Sequence, residues 1–263
     1  MYIDTHTHLY SDKFAADRPA VLARARQAGV DLALLPAIDG STHAAMLALE
    51  AAAPDFCHAM IGLHPVSVGE DYERELATVR RYLEQRPWVA IGEIGMDLHW
   101  DTTYRRQQEQ AFVTQCGWAV EYDLPVSIHA RKSIDELLEI LEGMNGTHPR
   151  GVFHCFTGDV VQARRAVDLG FLLGMGGVAT FKNGGLEPVL RQLPRETFVL
   201  ETDAPYLAPS PHRGRRNETA YLPLVAEKIA GIWGVETVRV AAITSANARQ
   251  LFELDRFAKN SLA

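Results

Sequence analysis

The chain begins with the segment YIDTHTHL at residues 2–9, a strand-like apolar run that ends in two histidines. Seven similar runs follow, with starts about 20 to 35 residues apart and helix-like stretches between them. This alternation is typical of βα units joined by right-handed crossovers into a parallel sheet. The predicted strands lie at residues 2–7, 32–37, 57–63, 89–95, 125–130, 151–156, 171–177 and 198–202.

Eight such units predict an α/β protein with a (β/α)8 TIM barrel, a single domain over residues 1–263 with extra helix at about 219–254. Gly29 and Gly170 are expected to end helices, and Ser133 with Glu136 is expected to form a capping box. The alternative is an open doubly wound sheet. It is less favoured because no predicted strand is followed by GxGxxG or GxxxxGK[ST], the phosphate-binding motifs of that class.

The composition is that of a globular protein: of 263 residues, 47% are hydrophobic and 22% are charged, which excludes disordered, collagen-like and coiled-coil classes. The formal charge of −7 argues against nucleic-acid binding through bulk positive charge, but a local basic patch can still bind phosphate. No apolar run approaches the roughly 18 residues of a membrane helix, and the first residues do not follow the pattern of a signal peptide. Since the three cysteines are scattered, we expect a cytoplasmic protein with no membrane contact and no obligate protein partner.

Residue types that bind metals lie at the ends of the predicted strands, where a barrel of this kind has its active site. His6 and His8 are two residues apart, so both side chains point to the same side of a strand. Any one of these residues has an ordinary explanation, such as a core histidine or a helix-capping aspartate, but their recurrence at five strand ends favours a shared site. The predicted metal ligands are His6, His8, Glu93, His129, His154 and Asp203.

Four neutral imidazoles and two carboxylates can hold two divalent ions, with Glu93 as the bridge and positions left for water. Imidazole ligands favour zinc, manganese, cobalt or iron. His64, in the GLHP segment at 62–65, ends the third predicted strand and is expected to contact the substrate. The residues therefore predict a two-metal centre with a substrate-binding histidine beside it.

The sequence resembles the TatD-type metal-dependent deoxyribonucleases, within the amidohydrolase-like superfamily. The resemblance covers the whole chain, and its motifs are IDTHTHL at 3–9, GLHP at 62–65, GEIGMD at 92–97, HCFTG at 154–158, ETDAPYL at 201–207 and NARQLF at 247–252. It implies the same six metal ligands and a magnesium-dependent nuclease. The chain departs from the family pattern at Tyr10, where an acidic residue is common, and at Leu98, where an aromatic residue is common.

Hydrolysis is the chemistry expected of this constellation, because two nearby metal ions activate water and stabilise charge that develops on a phosphoryl or carbonyl oxygen. Asp203 and Glu93 are the predicted catalytic carboxylates. Asp203 is the predicted general base, which takes the proton of the attacking water and passes it to the leaving group, while His64 orients the departing oxygen.

A basic segment, PHRGRRNE at 211–218, follows Asp203 and carries Arg213, Arg215 and Arg216. Arginine guanidinium groups bind phosphate oxygens bidentately. We therefore expect this segment to bind an anionic group of the substrate, such as a phosphate. Trp100 and Tyr206 are candidates for stacking on a base.

Three functions are compatible with these residues. The favoured one is a divalent-metal-dependent phosphodiesterase, a deoxyribonuclease with exonuclease-like action on DNA ends or single strands. The alternative is an amidohydrolase acting on a small cyclic amide, lactone or ester, although many such enzymes have a carbamylated lysine where this chain has Glu93. A non-catalytic metal-binding protein is disfavoured by the complete set of ligands and base. The two metal ions are magnesium by resemblance, and zinc or manganese by ligand chemistry.

Overall fold

Eight strands lie in the eight regions where the sequence predicts them. A computed structural model describes residues 1–258 of the chain, and within these residues every strand pairs in parallel with its neighbour. The strands are β1 (Tyr2–Asp4), β2 (Val30–Leu35), β3 (Cys57–Ala59), β4 (Ile91–Asp97), β5 (Val126–Arg131), β6 (Gly151–Phe153), β7 (Leu172–Met175) and β8 (Phe198–Leu200).

Backbone hydrogen bonds connect the eight strands in the order expected for a barrel. The order is β1-β2-β3 in one sheet and β4-β5-β6-β7-β8 in the other, and a parallel bridge from Ile61 to Ile91 joins β3 to β4. On the other side of the ring, the Thr5 N–H donates to the Leu200 carbonyl at 3.0 Å, which joins β1 to β8. The predicted α/β TIM barrel is therefore confirmed, while residues 259–263 of the predicted single domain lie outside the described residues.

A buried carboxylate strengthens the contact between the first and last strands. Asp4, fully buried at the end of β1, accepts hydrogen bonds from the Thr202 backbone N–H at 2.9 Å and from its hydroxyl at 2.6 Å. A buried carboxylate is costly without partners, so this pairing fixes the segment after β1 against the segment after β8. The result matters for function, because His6 and Asp203 lie on these two segments.

Helices alternate with the strands and bury their apolar sides against them, as in the α1 residues Val21 and Ala25. Beyond β8, a short 3₁₀ turn and two long helices form the extra helical region expected at about 219–254. The α-helices are α1 (Arg18–Gln27), α2 (His43–Ala52), α3 (Tyr72–Leu83), α4 (Arg105–Glu121), α5 (Ile134–Gly143), α6 (Val160–Asp168), α7 (Glu187–Gln192), α8 (Leu222–Trp233), α9 (Thr237–Phe252) and α10 (Asp255–Ala258). Within residues 1–258, none of these helices has both the length and the apolar character needed to cross a bilayer.

Two local predictions about the chain differ from the structure. Strand β1 ends at Asp4 rather than Thr7, so His6 and His8 belong to the loop that follows it. Ser133 does begin α5, but its hydroxyl donates to the Met96 carbonyl at 2.7 Å and does not cap the helix. The capping box expected there is wrong, because the Ser133 side chain is directed to Met96 and accepts no hydrogen bond from the first turn of α5.

The predicted glycine helix stops are confirmed. Gly29 follows α1 with φ 82° and Gly170 follows α6 with φ 83°, both in the left-handed region that glycine adopts without a steric cost. The two glycines turn the chain from a helix directly into β2 and β7.

Candidate metal and catalytic site

Glu93 lies at the centre of the site, on β4, with only 2% of its surface exposed. Its two carboxylate oxygens face different histidines. Oε2 lies 3.1 Å from His6 Nε2 and 3.6 Å from His8 Nε2. Oε1 lies 2.9 Å from His129 Nδ1 and 2.9 Å from His154 Nε2. One carboxylate thus connects two sets of ring nitrogens that come from the ends of three strands, β1, β5 and β6.

Asp203 completes the first set. Its Oδ1 lies 3.6 Å from His8 Nε2 and 3.9 Å from His6 Nε2. The residue has φ 56°, a left-handed conformation that is uncommon outside glycine and that clusters at functional sites. The structure therefore brings all six predicted ligands together at the carboxyl ends of the strands.

The outer ring nitrogens of three of these histidines face oxygen atoms of neighbouring side chains. The Tyr10 hydroxyl donates its only proton to the Pro36 carbonyl at 2.7 Å, so its oxygen accepts from His8 Nδ1–H at 3.0 Å. His129 Nε2–H donates to the Asp97 carboxylate at 2.9 Å. His154 Nδ1 faces the buried Glu201 carboxylate at 3.6 Å. The outer nitrogens of His8 and His129 thus have hydrogen-bond acceptors, and a proton on each of them leaves the inner nitrogen free to bind a cation.

This arrangement fits metal ions. The inner nitrogens of His8, His129 and His154 lie 2.9 to 3.6 Å from the Glu93 carboxylate oxygens, distances at which a proton or a bound cation joins the two atoms. Imidazole nitrogens with carboxylate oxygens are a donor set that divalent transition metals bind well. Three groups of side chains each place their possible ligand atoms within 4.8 Å of one another. These groups are His6-His8-Asp203, His6-Glu93-His154 and His64-Glu93-His129.

His64 differs from the other histidines in its tautomer. Its Nδ1 accepts a hydrogen bond from the Val66 backbone N–H at 3.0 Å, so its proton is on Nε2, which lies 3.2 Å from Glu93 Oε1. A nitrogen that carries a proton has no lone pair for a metal. His64 therefore acts in this arrangement as a hydrogen-bond donor to Glu93, and its contact with the substrate stays a prediction.

Charge within the cluster follows from burial and from the close carboxylates. Burial would raise the pKa of Glu93, but the imidazoles around it, foremost His64 and His154, hold that pKa well below its ordinary value. Burial would lower the pKa of His154, but Glu93 and Glu201 hold it well above its ordinary value. The pKa of Asp203 is also lowered, against the effect of burial, by the hydrogen bond with His8 and by the nearby imidazoles. The lowered carboxylate pKa values and the raised pKa of His154 both show that this buried cluster stabilises positive charge beside ionised carboxylates.

The cluster forms the floor of an open cavity of about 890 Å³. Its rim carries exposed cations and aromatic rings. Arg213 lies over the Phe181 ring at 4.0 Å from the ring centroid, and Arg131 lies over Trp100 at 5.0 Å. The rim residues that line the cavity include Trp100, Arg131, Phe181, Tyr206, Arg213 and Arg215. Both arginines predicted to bind the substrate therefore face the same cavity as the cluster.

Arg216 does not share this position. Its guanidinium is held by both oxygens of Asp17 at 2.7 Å and by Glu218 at 2.9 Å, and it lies over the Phe14 ring. The structure therefore pairs Arg216 with two carboxylates outside the lining of the main cavity, unlike Arg213 and Arg215.

Several orienting residues were not predicted as part of the site. Asp97 lies four residues after Glu93 on the same strand, and this even spacing places both carboxylates on one side of β4. Glu201 precedes Asp203 by two residues, and its Oε1 accepts from the Cys155 backbone N–H at 2.5 Å. A carboxylate two or four residues from a predicted ligand was the available signal for both. Tyr10 carried no comparable signal.

A parallel barrel with a buried cluster of histidines and carboxylates at the carboxyl ends of its strands has the architecture of a barrel-type metal-dependent hydrolase. The match to the family model described as TatD related DNase covers residues 3–253. The chain belongs to this family of metal-dependent hydrolases, which confirms the resemblance in the motifs.

Individual relatives agree with the family assignment. The uncharacterized metal-dependent hydrolase YabD of Bacillus subtilis is 36% identical over 97% of this chain and 100% of its own length. The 3′-5′ ssDNA/RNA exonuclease TatD of Pantoea ananatis is 35% identical over 95% of this chain and 99% of its own. The crystal structure of YJJV, a TatD homolog from Escherichia coli K12, is 32% identical with a TM-score of 0.90, and the match covers 96% of this chain and 98% of that one.

Proposed function

We propose that the protein is a nuclease that hydrolyses phosphodiester bonds in DNA, with exonuclease-like action on ends or single strands. The observation that carries this proposal is the position of the Glu93 carboxylate. Its two oxygens face separate sets of metal-binding side chains, and arginines line the cavity above them. The names of relatives as 3′-5′ ssDNA/RNA exonucleases support the substrate class.

Two divalent ions fit the donor sets. The first set consists of His6, His8, Asp203 and Glu93 Oε2, and the second consists of Glu93 Oε1, His129 and His154. Bound there, two ions would lower the pKa of water and stabilise negative charge on a phosphoryl oxygen. Manganese and zinc are the ions that the four imidazoles favour, and magnesium is the ion that the motifs favour.

The protein's own groups position the substrate and transfer the protons. The Asp203 carboxylate is ionised at neutral pH, so it accepts a proton from the attacking water and returns it to the leaving oxygen when the bond between phosphorus and oxygen breaks. His64 Nε2–H donates a hydrogen bond to that departing oxygen. Arg213 and Arg215 bind the non-bridging phosphate oxygens.

Charge at the rim distinguishes this reaction from the hydrolysis of a lactone or cyclic amide. An uncharged substrate gains nothing from two arginines, whereas a phosphodiester carries one negative charge for each phosphate. Glu93 also occupies the bridging position where many amidohydrolases carry a carbamylated lysine. We therefore place phosphodiesters ahead of uncharged substrates.

The test uses metal-stripped protein with magnesium, manganese or zinc added back separately. Substrates are an activated phosphodiester, single-stranded DNA, duplex DNA, single-stranded RNA and a set of lactones. We expect hydrolysis of the activated phosphodiester and single-stranded DNA in at least one metal, and none without metal. Lactone hydrolysis without phosphodiester hydrolysis would refute the proposal in favour of an amidohydrolase.

We also propose that residues 1–263 form one hydrolase domain that acts in the cytoplasm without an obligate protein partner. The family match over residues 3–253 supports the single domain. Cys57, Cys116 and Cys155 are free thiols, which suits a reducing compartment.

A further inference from the structure

A second, smaller cavity of about 260 Å³ adjoins the main one. The two cavities share Val66, Asp97 and Trp100 as lining residues. Asp97 connects the small cavity to the metal site, because its Oδ2 accepts from His129 Nε2–H at 2.9 Å. A ligand that spans both cavities would therefore extend from the catalytic floor into the small cavity.

One wall of this cavity is formed by the indole ring of Trp100, which is unusually exposed for a tryptophan. Among the tryptophans of the described chain, Trp88 and Trp233 are buried and Trp118 is half-buried, whereas Trp100 is 71% exposed. An exposed indole leaves a large apolar surface in water, so a flat partner that covers it gains free energy. Trp100 also lies on the loop after β4, next to the catalytic strand.

Other walls of the small cavity are suited to a planar group. Pro65, Val66 and Val68 are apolar, and the Tyr104 ring is half-buried. The polar groups nearby are already engaged: Asp97 Oδ1 accepts from the His99 N–H at 3.0 Å, and Gln108 Oε1 accepts from the Asp97 N–H at 2.9 Å. This lining favours recognition by stacking over recognition by hydrogen bonds.

A cation stands at the junction of the two cavities. The Arg131 guanidinium lies 5.0 Å from the centroid of the Trp100 ring, at the end of β5, and it lines the main cavity. A guanidinium beside an exposed aromatic ring is the pairing that binds single-stranded nucleic acid, because the ring stacks on a base and the cation neutralises a phosphate.

We propose that the small cavity is a nucleobase subsite, in which the base of a nucleotide next to the scissile phosphodiester stacks on Trp100 while Arg131 binds the adjoining phosphate. The subsite rests on the proposed nuclease function and deepens it. Since every base has an aromatic face, it makes the enzyme favour unpaired strands without favouring a sequence. Duplex DNA keeps its bases stacked on each other and does not fill the subsite.

The test combines base removal with substitution at Trp100. Substrates are a short single-stranded oligothymidylate and a series in which one nucleotide at a time is abasic. For the wild type, we expect base removal at one position near the cleaved end to raise KM by about 5- to 150-fold, the range that stacking one base contributes. Trp100→Ala should raise KM for the intact strand by a similar factor, and Trp100→Phe should restore most of the affinity.

The decisive result is that these two losses do not multiply. If Trp100 and the missing base form one contact, Trp100→Ala should lose no further affinity when that base is absent. Losses that multiply, or no loss with Trp100→Ala, would overturn the subsite while wild-type cleavage of an activated phosphodiester leaves the nuclease function intact. Failure of the wild type on both substrates would refute the nuclease function itself.

Binding without catalysis gives an independent readout. Stacking on a base changes the fluorescence of an exposed indole, so the oligothymidylate should quench the emission of metal-free wild-type protein. The abasic strand that lacks the critical base should quench less. Equal quenching in the wild type and in Trp100→Phe would contradict the subsite, because the signal would then come from another tryptophan.

Discussion

The floor and the rim of the main cavity are built in different ways. On the floor, His6 and Glu93 are almost fully buried, and most of the imidazole rings have a second polar partner, as His6 Nδ1 has in Ser127 at 3.1 Å. On the rim, Trp100 and Arg213 are exposed: Trp100 rests against Arg131 and His99, and Arg213 rests against Phe181. A fixed floor suits chemistry that needs defined atom positions, and an adaptable rim suits a polymer that must enter and leave. The difference predicts that floor substitutions lower kcat and rim substitutions raise KM.

The largest effect should come from Glu93→Gln on the floor. The amide keeps the shape but loses the anionic charge that faces both donor sets, so both ions should leave together. We expect kcat to fall by at least about 10²- to 10³-fold, the size that one electrostatic group contributes in other active sites. Metal analysis and single-turnover kinetics measure the two losses.

Glu139→Gln is the matched control for Glu93→Gln, because Glu139 is exposed on α5. It should retain two ions and normal turnover. Two tightly bound ions in Glu93→Gln would show that Glu93 orients the ligands and does not bridge them.

His64→Gln should separate two kinds of histidine within the floor. Because His64 Nδ1 accepts from the Val66 N–H, the His64 proton is on Nε2, the nitrogen that we propose donates to the substrate. We expect kcat to fall by about 10- to 100-fold, the loss of a hydrogen bond to a charged group, with both ions retained. His154→Gln, in contrast, should lose one ion. Loss of metal from His64→Gln would instead make His64 a ligand.

Arg213→Ala and Arg215→Ala test the rim directly. Each should weaken phosphodiester binding by about 1.5 to 3 kcal/mol, roughly ten- to a hundredfold in KM, with a smaller effect on kcat. The logarithm of affinity for single strands should also fall with the logarithm of salt concentration, with a slope of about −0.7 for each phosphate contacted. An unchanged KM in both variants would move phosphate binding away from this segment.

The floor was predictable from the sequence because its ligands lie at strand ends, and parallel strand ends converge in a barrel whatever the details of the helices. His6, Glu93 and His154 needed only the strand positions. The roles of the two His64 nitrogens were not predictable, because they depend on how the Val66 N–H is directed after the strand. The same holds for the contact between Tyr10 and His8, which requires the Pro36 carbonyl from another loop.

The rim was predicted less well because its charges depend on distant partners. Arg213 and Arg216 are three residues apart and look alike in the sequence. Their difference arises from Asp17, which precedes α1 and is 199 residues from Arg216 along the chain. Exposure and local composition could not show that this carboxylate is close. Ser133 failed as a helix cap for the same reason, since its acceptor lies on β4.

The smallest predicted effect is that of Arg216→Ala, which should change stability and leave substrate binding nearly as it is. The hydrogen bonds from Arg216, and with them those from Arg24, lower the pKa of Asp17 from an ordinary 3.8 to about 2. A carboxyl whose pKa is lower in the folded state stabilises the fold above its ordinary pKa and loses this effect as the pH falls through the lower value. The wild type should therefore be more stable than Arg216→Ala at pH 7, by no more than about 2 to 4 °C in Tm, and the gap should close between about pH 4 and pH 2.

Thermal unfolding at a series of pH values measures this gap, and Arg213→Ala is the control because it contacts the Phe181 ring and not this carboxylate. Arg213→Ala should show no gap that depends on acid pH. In activity assays Arg213→Ala should have the larger effect of the two variants. KM for the phosphodiester should rise in Arg213→Ala. In Arg216→Ala it should stay within about twofold of wild type, since a surface ion pair has little effect on groups other than its own partners. If Arg216→Ala raised KM as much as Arg213→Ala, its guanidinium would reach the substrate, and the rim would extend across the whole basic segment.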